Sequence, residues 1–143
     1  MTEFDRAYFA GLFDGEGSVY FKKMKQTKHQ RPGKPVHNVT VIRMEIAMTD
    51  KDTIKWCHDS FNCGAFGERK VKPGYKRQWR WRVCHRDALH VALAIWPYTQ
   101  VKLHKIEQII DYYDNYDGTN RGNVVDLQAY KLWHDNERKH EVE

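Results

Sequence analysis

The sequence predicts an α+β domain in which two helix–hairpin units build one antiparallel sheet, backed by helices and followed by further helices. Three observations lead there. The apolar spacing switches between a period near four and a period of two in the order helix, hairpin, helix, hairpin. Residues 38–48 and 78–83 alternate cleanly, as half-buried strands do. Beyond residue 86 only helical spacing recurs. At 143 residues, 41% hydrophobic and 13% aromatic, the chain has the apolar mass for one domain covering 1–143.

Each element follows from its own residues. Phe4, Tyr8 and Leu12 recur at intervals of four and mark a helix over Asp5–Phe13. Thr2 with Asp5 three residues on is suited to cap its start, and Gly15 and Gly17 stop it. Residues 18–28 suit a strand, and His29–His37, with two prolines and a glycine, read as a loop. In residues 38–48, Thr40, Ile42, Met44, Ile46 and Met48 share one face. Thr49 or Asp50 then caps a helix whose apolar face is Ile54, Cys57 and Phe61, ended by Asn62 and Gly64.

A second hairpin is expected from Ala65–Lys72, a Pro73-Gly74 turn and Tyr75–Cys84. Its return strand alternates Trp79, Trp81 and Val83 with Gln78, Arg80 and Arg82. Two tryptophans carry the larger apolar area, so they take the buried face. Ala88, Val91, Ala92 and Ile95 mark the next helix, ended by Pro97. Leu103, Ile106, Ile110 and Tyr113 mark another. Val125, Ala129, Leu132 and Trp133 mark a last one at about 123–136, before a charged tail.

Charge separates along the chain. Residues 18–86 hold 17 Lys and Arg against 5 Asp and Glu, a balance of +12, and the remainder holds 7 against 14, a balance of −7. A basic middle with acidic flanks implies one surface for a polyanion. If the sheet has one solvent face, that face carries Lys22, Arg43, Arg69, Arg80 and Arg82, and a basic two-hairpin ribbon suits a DNA major groove. No run of 18 apolar residues occurs, and the start mixes acids with aromatics, unlike a secretion signal. An intracellular protein without membrane partners is expected, in a bacterial or phage-infected cytoplasm or an organelle. The three cysteines, Cys57, Cys63 and Cys84, include no CxxC pair, so they read as reduced thiols rather than a zinc site.

One segment carries a sharper signal. Phe9-Ala10-Gly11-Leu12-Phe13-Asp14-Gly15-Glu16-Gly17 places small residues on a helix that ends in an acid between glycines. Small residues permit close helix contact, and a carboxylate at the end of such a helix can bind a hard divalent ion. Taken alone, the segment also reads as a helix end with a turn. It resembles the nonapeptide of the LAGLIDADG homing endonucleases, with Phe9 and Phe13 in place of aliphatics, Glu16 in place of the second Asp, and Gly15 a common variant of the seventh residue. The αββαββα order resembles that family's core, a saddle-shaped antiparallel sheet. Pro97-Tyr98-Thr99-Gln100-Val101-Lys102 resembles a proline–aromatic–x–x–aliphatic–lysine stretch of its single-motif members. The resemblance spans about residues 4–113 and departs at Ile54, where a basic residue is frequent in the family.

The resemblance implies a site-specific double-strand DNA endonuclease. One motif implies a homodimer whose motif helices meet at Ala10, Gly11 and Gly15, and a long, roughly palindromic target. Glu16, with Gly15 beside it, would hold Mg²⁺ or Mn²⁺. Asp50 would order water, or serve only as a helix cap, and Lys102 would offset charge on the phosphate. Asp14 would support the helix end rather than bind metal. DNA contacts would come from Tyr20, Lys22, Met24, Gln26 and Lys28, from Arg43 and Glu45, from Arg69, and from Lys76, Gln78, Arg80 and Arg82. A non-cleaving regulator or intron-splicing factor of the same fold is the alternative reading, and a general RNA-binding domain a third, without any RNP-type sequence.

Overall fold

The computed structural model describes residues 1–25, Gly33 and 38–114. Gln26, Lys28, most of the 29–37 loop and the expected helix at about 123–136 lie outside the described residues. The elements run α1 (Glu3–Glu16), β1 (Gly17–Lys25), β2 (Asn38–Met48), α2 (Lys51–Phe61), β3 (Ala65–Arg69), β4 (Gln78–Cys84), α3 (Arg86–Ile95) and α4 (Leu103–Asp114). They form two compact units: Met1–Gly17 with the described residues from Leu89 on, and Ser18–Ala88.

The second unit is the sheet, in the order β1-β2-β4-β3, so that each helix–hairpin unit contributes one central strand. β2 and β4 pair antiparallel with Ile46 opposite Trp81 and Met44 opposite Val83. β3 pairs antiparallel with β4, with Phe66 opposite Trp81. The expected inner face is the buried one: Ile42, Met44, Ile46, Trp81 and Val83 have no exposure. α2 packs on this sheet and buries Ile54, Cys57 and Phe61. The Phe61 ring stacks on Trp81 at 5.4 Å, and the indole Nε1 donates to the Cys63 carbonyl at 2.9 Å. After α2 the chain turns through Asn62, at φ 51°, and Gly64, at φ 84°. At Gly64 a Cβ would lie 2.5 Å from the Arg82 carbonyl oxygen, so only glycine passes there.

The second hairpin is shorter than the alternation predicts. Strand pairing ends at Arg69 opposite Gln78. The next pair would set Lys70 against Arg77, and like charges directly opposite each other destabilise a ladder. Pro73-Gly74 still makes the turn: the Tyr75 N–H donates to the Lys72 carbonyl at 3.2 Å, and Gly74 takes φ 91°. Lys76 therefore stands exposed in the connection rather than on β4.

In the first unit, α1 is longer than expected at both ends. Thr2 and Asp5 form a reciprocal capping box, with bonds of 3.0 and 3.1 Å, so the helix starts at Glu3. It runs three residues past Phe13 and makes Glu16 its last residue. Its buried face is Phe9, Ala10 and Phe13. The Phe4–Tyr8 stripe that signals the helix points instead to solvent, with Phe4 86% and Tyr8 59% exposed. Downstream, Val91, Ala92, Ile95, Ile106, Ile109 and Ile110 are buried, and the Trp96 indole donates to Glu107 Oε1 at 3.1 Å.

Candidate nucleic-acid interface and acidic centre

The C-terminal end of α1 is held by its own motif residues. Gly17 follows in extended conformation, its N–H donating to the Phe13 carbonyl, and a Cβ there would run into the Phe13 ring. The glycine is required for space, not for backbone angle. Asp14 grips the segment before α4: its Oδ2 accepts the Gln100 N–H at 2.8 Å and its Oδ1 the Lys102 N–H at 3.1 Å. Lys102 reciprocates, its Nζ donating to the Asp14 carbonyl at 2.6 Å. An ammonium at the carbonyl end of a helix is favoured by the helix dipole. The ammonium of Lys102 is thereby fixed two residues from Glu16 along α1. Glu16 is exposed and has no hydrogen-bond or ion-pair partner among the described residues.

Along the same helix, Phe4, Tyr8, Gly11 and Gly15 form an exposed stripe at helical spacing. Among the described residues nothing lies within 4 Å of a Cβ placed on Gly11 or Gly15, so none of them covers this face. Ala10, expected beside them at a dimer contact, is fully buried in its own chain and does not belong to that stripe.

The solvent face of the sheet gathers the basic residues. On β1 Tyr20 and Lys22 are exposed by alternation, which ends there, since Lys23, Met24 and Lys25 are all exposed. Arg43 and Glu45 of β2 and Gln78, Arg80 and Arg82 of β4 lie opposite the Trp81 face, with Glu45 paired to Arg82 across the ladder. Arg69 pairs with Gln78, and Gly67 with Arg80, on the same face. The Arg43 guanidinium lies over the Tyr20 ring at 4.8 Å.

No protein-family profile matches the sequence, and no curated protein is similar to it in sequence. Solved structures do match in fold. The homing endonuclease I-CvuI, in complex with the I-CreI target and Mg, aligns with a TM-score of 0.60 at 14% identity, covering 93% of this chain and 96% of that one. I-CvuI with its own target and Ca aligns at 0.57 and 11% identity, covering 94% of each chain. The archaeal intron-encoded homing endonuclease I-Vdi141I, complexed with DNA, aligns at 0.52 and 12% identity, covering 94% of this chain and 96% of that one.

This chain has the LAGLIDADG homing-endonuclease fold.

In that fold Asp50 is the N-cap of α2, its Oδ1 accepting the Asp52 N–H at 3.1 Å and the Thr53 N–H at 3.4 Å. The capping role expected as an alternative is therefore present, and it leaves Oδ2 without a partner among the described residues. Ile54 is fully buried in the face of α2. Burial pushes the Cys57 thiol up to about 12, which keeps it protonated.

Three features escaped the sequence reading. Cys84 sits exposed on the basic face, opposite Arg43, as the alternation that places Arg82 would have shown. Arg77 forms a two-bond ion pair with Glu68, at 2.8 and 2.9 Å, and lies 5.2 Å from the Trp79 ring centroid. Lys51 lies 5.8 Å from the same ring, so Trp79 is half-exposed between two cations while Trp81 fills the core. The Arg77–Glu68 pair spans a connection whose length sequence spacing does not reveal.

Proposed function

We propose that the chain is a site-specific double-strand DNA endonuclease, acting inside a cell as a homodimer on a long, roughly palindromic site with Mg²⁺ or Mn²⁺. The observation that carries this reading is the face of the sheet, where Lys22, Arg43, Arg69, Arg80 and Arg82 stand out from four adjoining strands. A ribbon of this kind meets phosphates through its cations and base edges through Arg and Gln. Lys76 and Tyr20 add contacts at its margins.

The donor chemistry at the end of α1 fits a hard divalent ion. Glu16 offers a carboxylate bonded to none of the described residues, and Gly15 adds no side chain to block approach. A bound ion there would lower the pKa of the attacking water and stabilise the leaving oxygen. The motif occurs once in the sequence, so the second carboxylate in this reading is Glu16 of a second copy. The open stripe of Phe4, Tyr8, Gly11 and Gly15 supplies the two-fold contact, its glycines allowing the helices close together. The ammonium of Lys102, held by Asp14, offsets charge gathering on the phosphate. Asp50 Oδ2, unbonded among the described residues, orients water.

Incubation with a large library of duplexes in Mg²⁺, followed by sequencing of the new ends, tests the reading. Double-strand cuts at one related set of sites are expected. Retention of specific duplexes without cuts would replace it with a DNA-binding regulator, and no retention at all would refute it.

A further inference from the structure

Arg80 and Arg82 lie two residues apart on β4 and share a face, but their surroundings differ. Arg80 stands between Ala47 and Gly67 in the ladder. It has no hydrogen-bond or ion-pair partner among the described residues. Arg82 stands between Glu45 and Ala65. Its Nε and Nη2 both donate to Glu45 Oε2, at 2.8 and 2.7 Å. The two side chains are 30% and 20% exposed. Among the described residues Glu45 is the one carboxylate on this face. A carboxylate on a surface that meets phosphates opposes binding, since affinity there comes from neutralising DNA charge. Its presence calls for a compensating role.

We infer that Glu45 and Arg82 act as one base-reading unit, in which Glu45 holds the guanidinium and Arg82 presents its remaining edge to a guanine in the major groove. The inference rests on the DNA-binding reading above and deepens it. A guanidinium has five N–H donors in a rigid fork. Glu45 engages the Nε and Nη2 side, which leaves one hydrogen of Nη1 and one of Nη2 along the far edge. That edge matches the O6 and N7 acceptors of guanine. Holding the side chain in advance removes ordering that a free arginine undergoes only on binding. The neutralised pair also has little pull on phosphate, which separates its role from that of Arg80. A two-fold pair of chains would then require one guanine per half-site at the position set by Arg82. Glu45 acts through Arg82 and is a positioning residue.

The test is selection from a randomised duplex pool with the full chain, followed by sequencing of the retained fraction. The wild type should enrich guanine at one position per half-site. Glu45→Gln, which keeps shape and removes charge, should lose that preference by roughly 5- to 150-fold. It should hold unrelated duplexes as tightly or more tightly. Arg82→Lys should lose the preference at the same base pair, and the double variant should lose no more than either single one. A merely structural role for Glu45 would weaken all sequences alike, and that outcome overturns the inference. So does an unchanged guanine preference in Glu45→Gln, or a loss at a different base pair from that of Arg82→Lys. If the wild type retains no duplex, the DNA-binding reading itself fails and takes the inference with it. Thermal melts of each variant, matched to wild type, exclude misfolding as the cause.

Discussion

Replacing Trp81 with Ala and Arg80 with Ala should separate the core of the sheet from its working face. Trp81 has no exposure, stacks on Phe61 at 5.4 Å with planes 17° apart, and is flanked in the ladder by Ile46 and Phe66. Its indole also supplies the hydrogen bond to the Cys63 carbonyl. Removing a buried Trp costs roughly 3–5 kcal/mol, of which the hydrogen bond accounts for about 1. Against a total stability of roughly 5–15 kcal/mol this is a large share. It corresponds to a fall in Tm on the order of 10 °C for a chain of this size. Arg80 is half-buried by its neighbours but bonded to none of the described residues, so its loss should change stability by about 0.5 kcal/mol or less. It should weaken duplex binding instead. A base-reading arginine would lose roughly 1–3 kcal/mol at one base pair, and a phosphate contact would lower the salt slope by about one unit at every sequence. Circular-dichroism melts and fluorescence anisotropy on a labelled duplex measure the two quantities. The assignment of faces fails if Arg80→Ala unfolds the protein while Trp81→Ala only weakens DNA binding.

Four further outcomes are expected. Glu16→Gln should abolish cleavage in Mg²⁺ and leave duplex binding and dimer formation intact, because the amide keeps volume but loses the charge that attracts the ion; full cleavage by this variant would remove Glu16 from the centre. Gly11→Leu should fold normally, since a Cβ there meets none of the described residues, yet sedimentation should show a shift from dimer toward monomer; a monomeric wild type at micromolar concentration would contradict the two-chain reading. Gly64→Ala should cost more than about 1 kcal/mol in urea melts, because φ 84° disfavours a side chain and its Cβ would press on the Arg82 carbonyl and Val83; an unchanged midpoint would contradict that crowding. Alkylation at pH 8 of the folded chain, followed by mass spectrometry, should modify exposed Cys84 and spare Cys57, whose thiol is pushed up to about 12 by burial; rapid labelling of Cys57 would contradict its placement.

Much of the fold is legible from local pattern alone. The alternation over 38–48 and 78–83 identifies the central strands and their faces, because side chains of a strand point to opposite sides with a period of two. Asp50, and Thr2 with Asp5, mark helix starts because their oxygens satisfy backbone N–H groups only a few residues away. The motif at 9–17 points to Glu16, and the alternation to Arg80 and Arg82, by the same local logic. What only tertiary structure decides is the partner of each group across long separations in the chain. Spacing makes Phe4 and Tyr8 a helical stripe but does not say which stripe is buried, and the folded chain buries Phe9, Ala10 and Phe13 instead. Asp14 is expected to support the helix end, but its partners, the N–H groups of Gln100 and Lys102, come from more than 80 residues away and are set only by the folded chain. Arg80 and Arg82 look alike in sequence. Strand register sets Glu45 beside one and Ala47 beside the other, because a ladder joins residues by their distance in space and not along the chain.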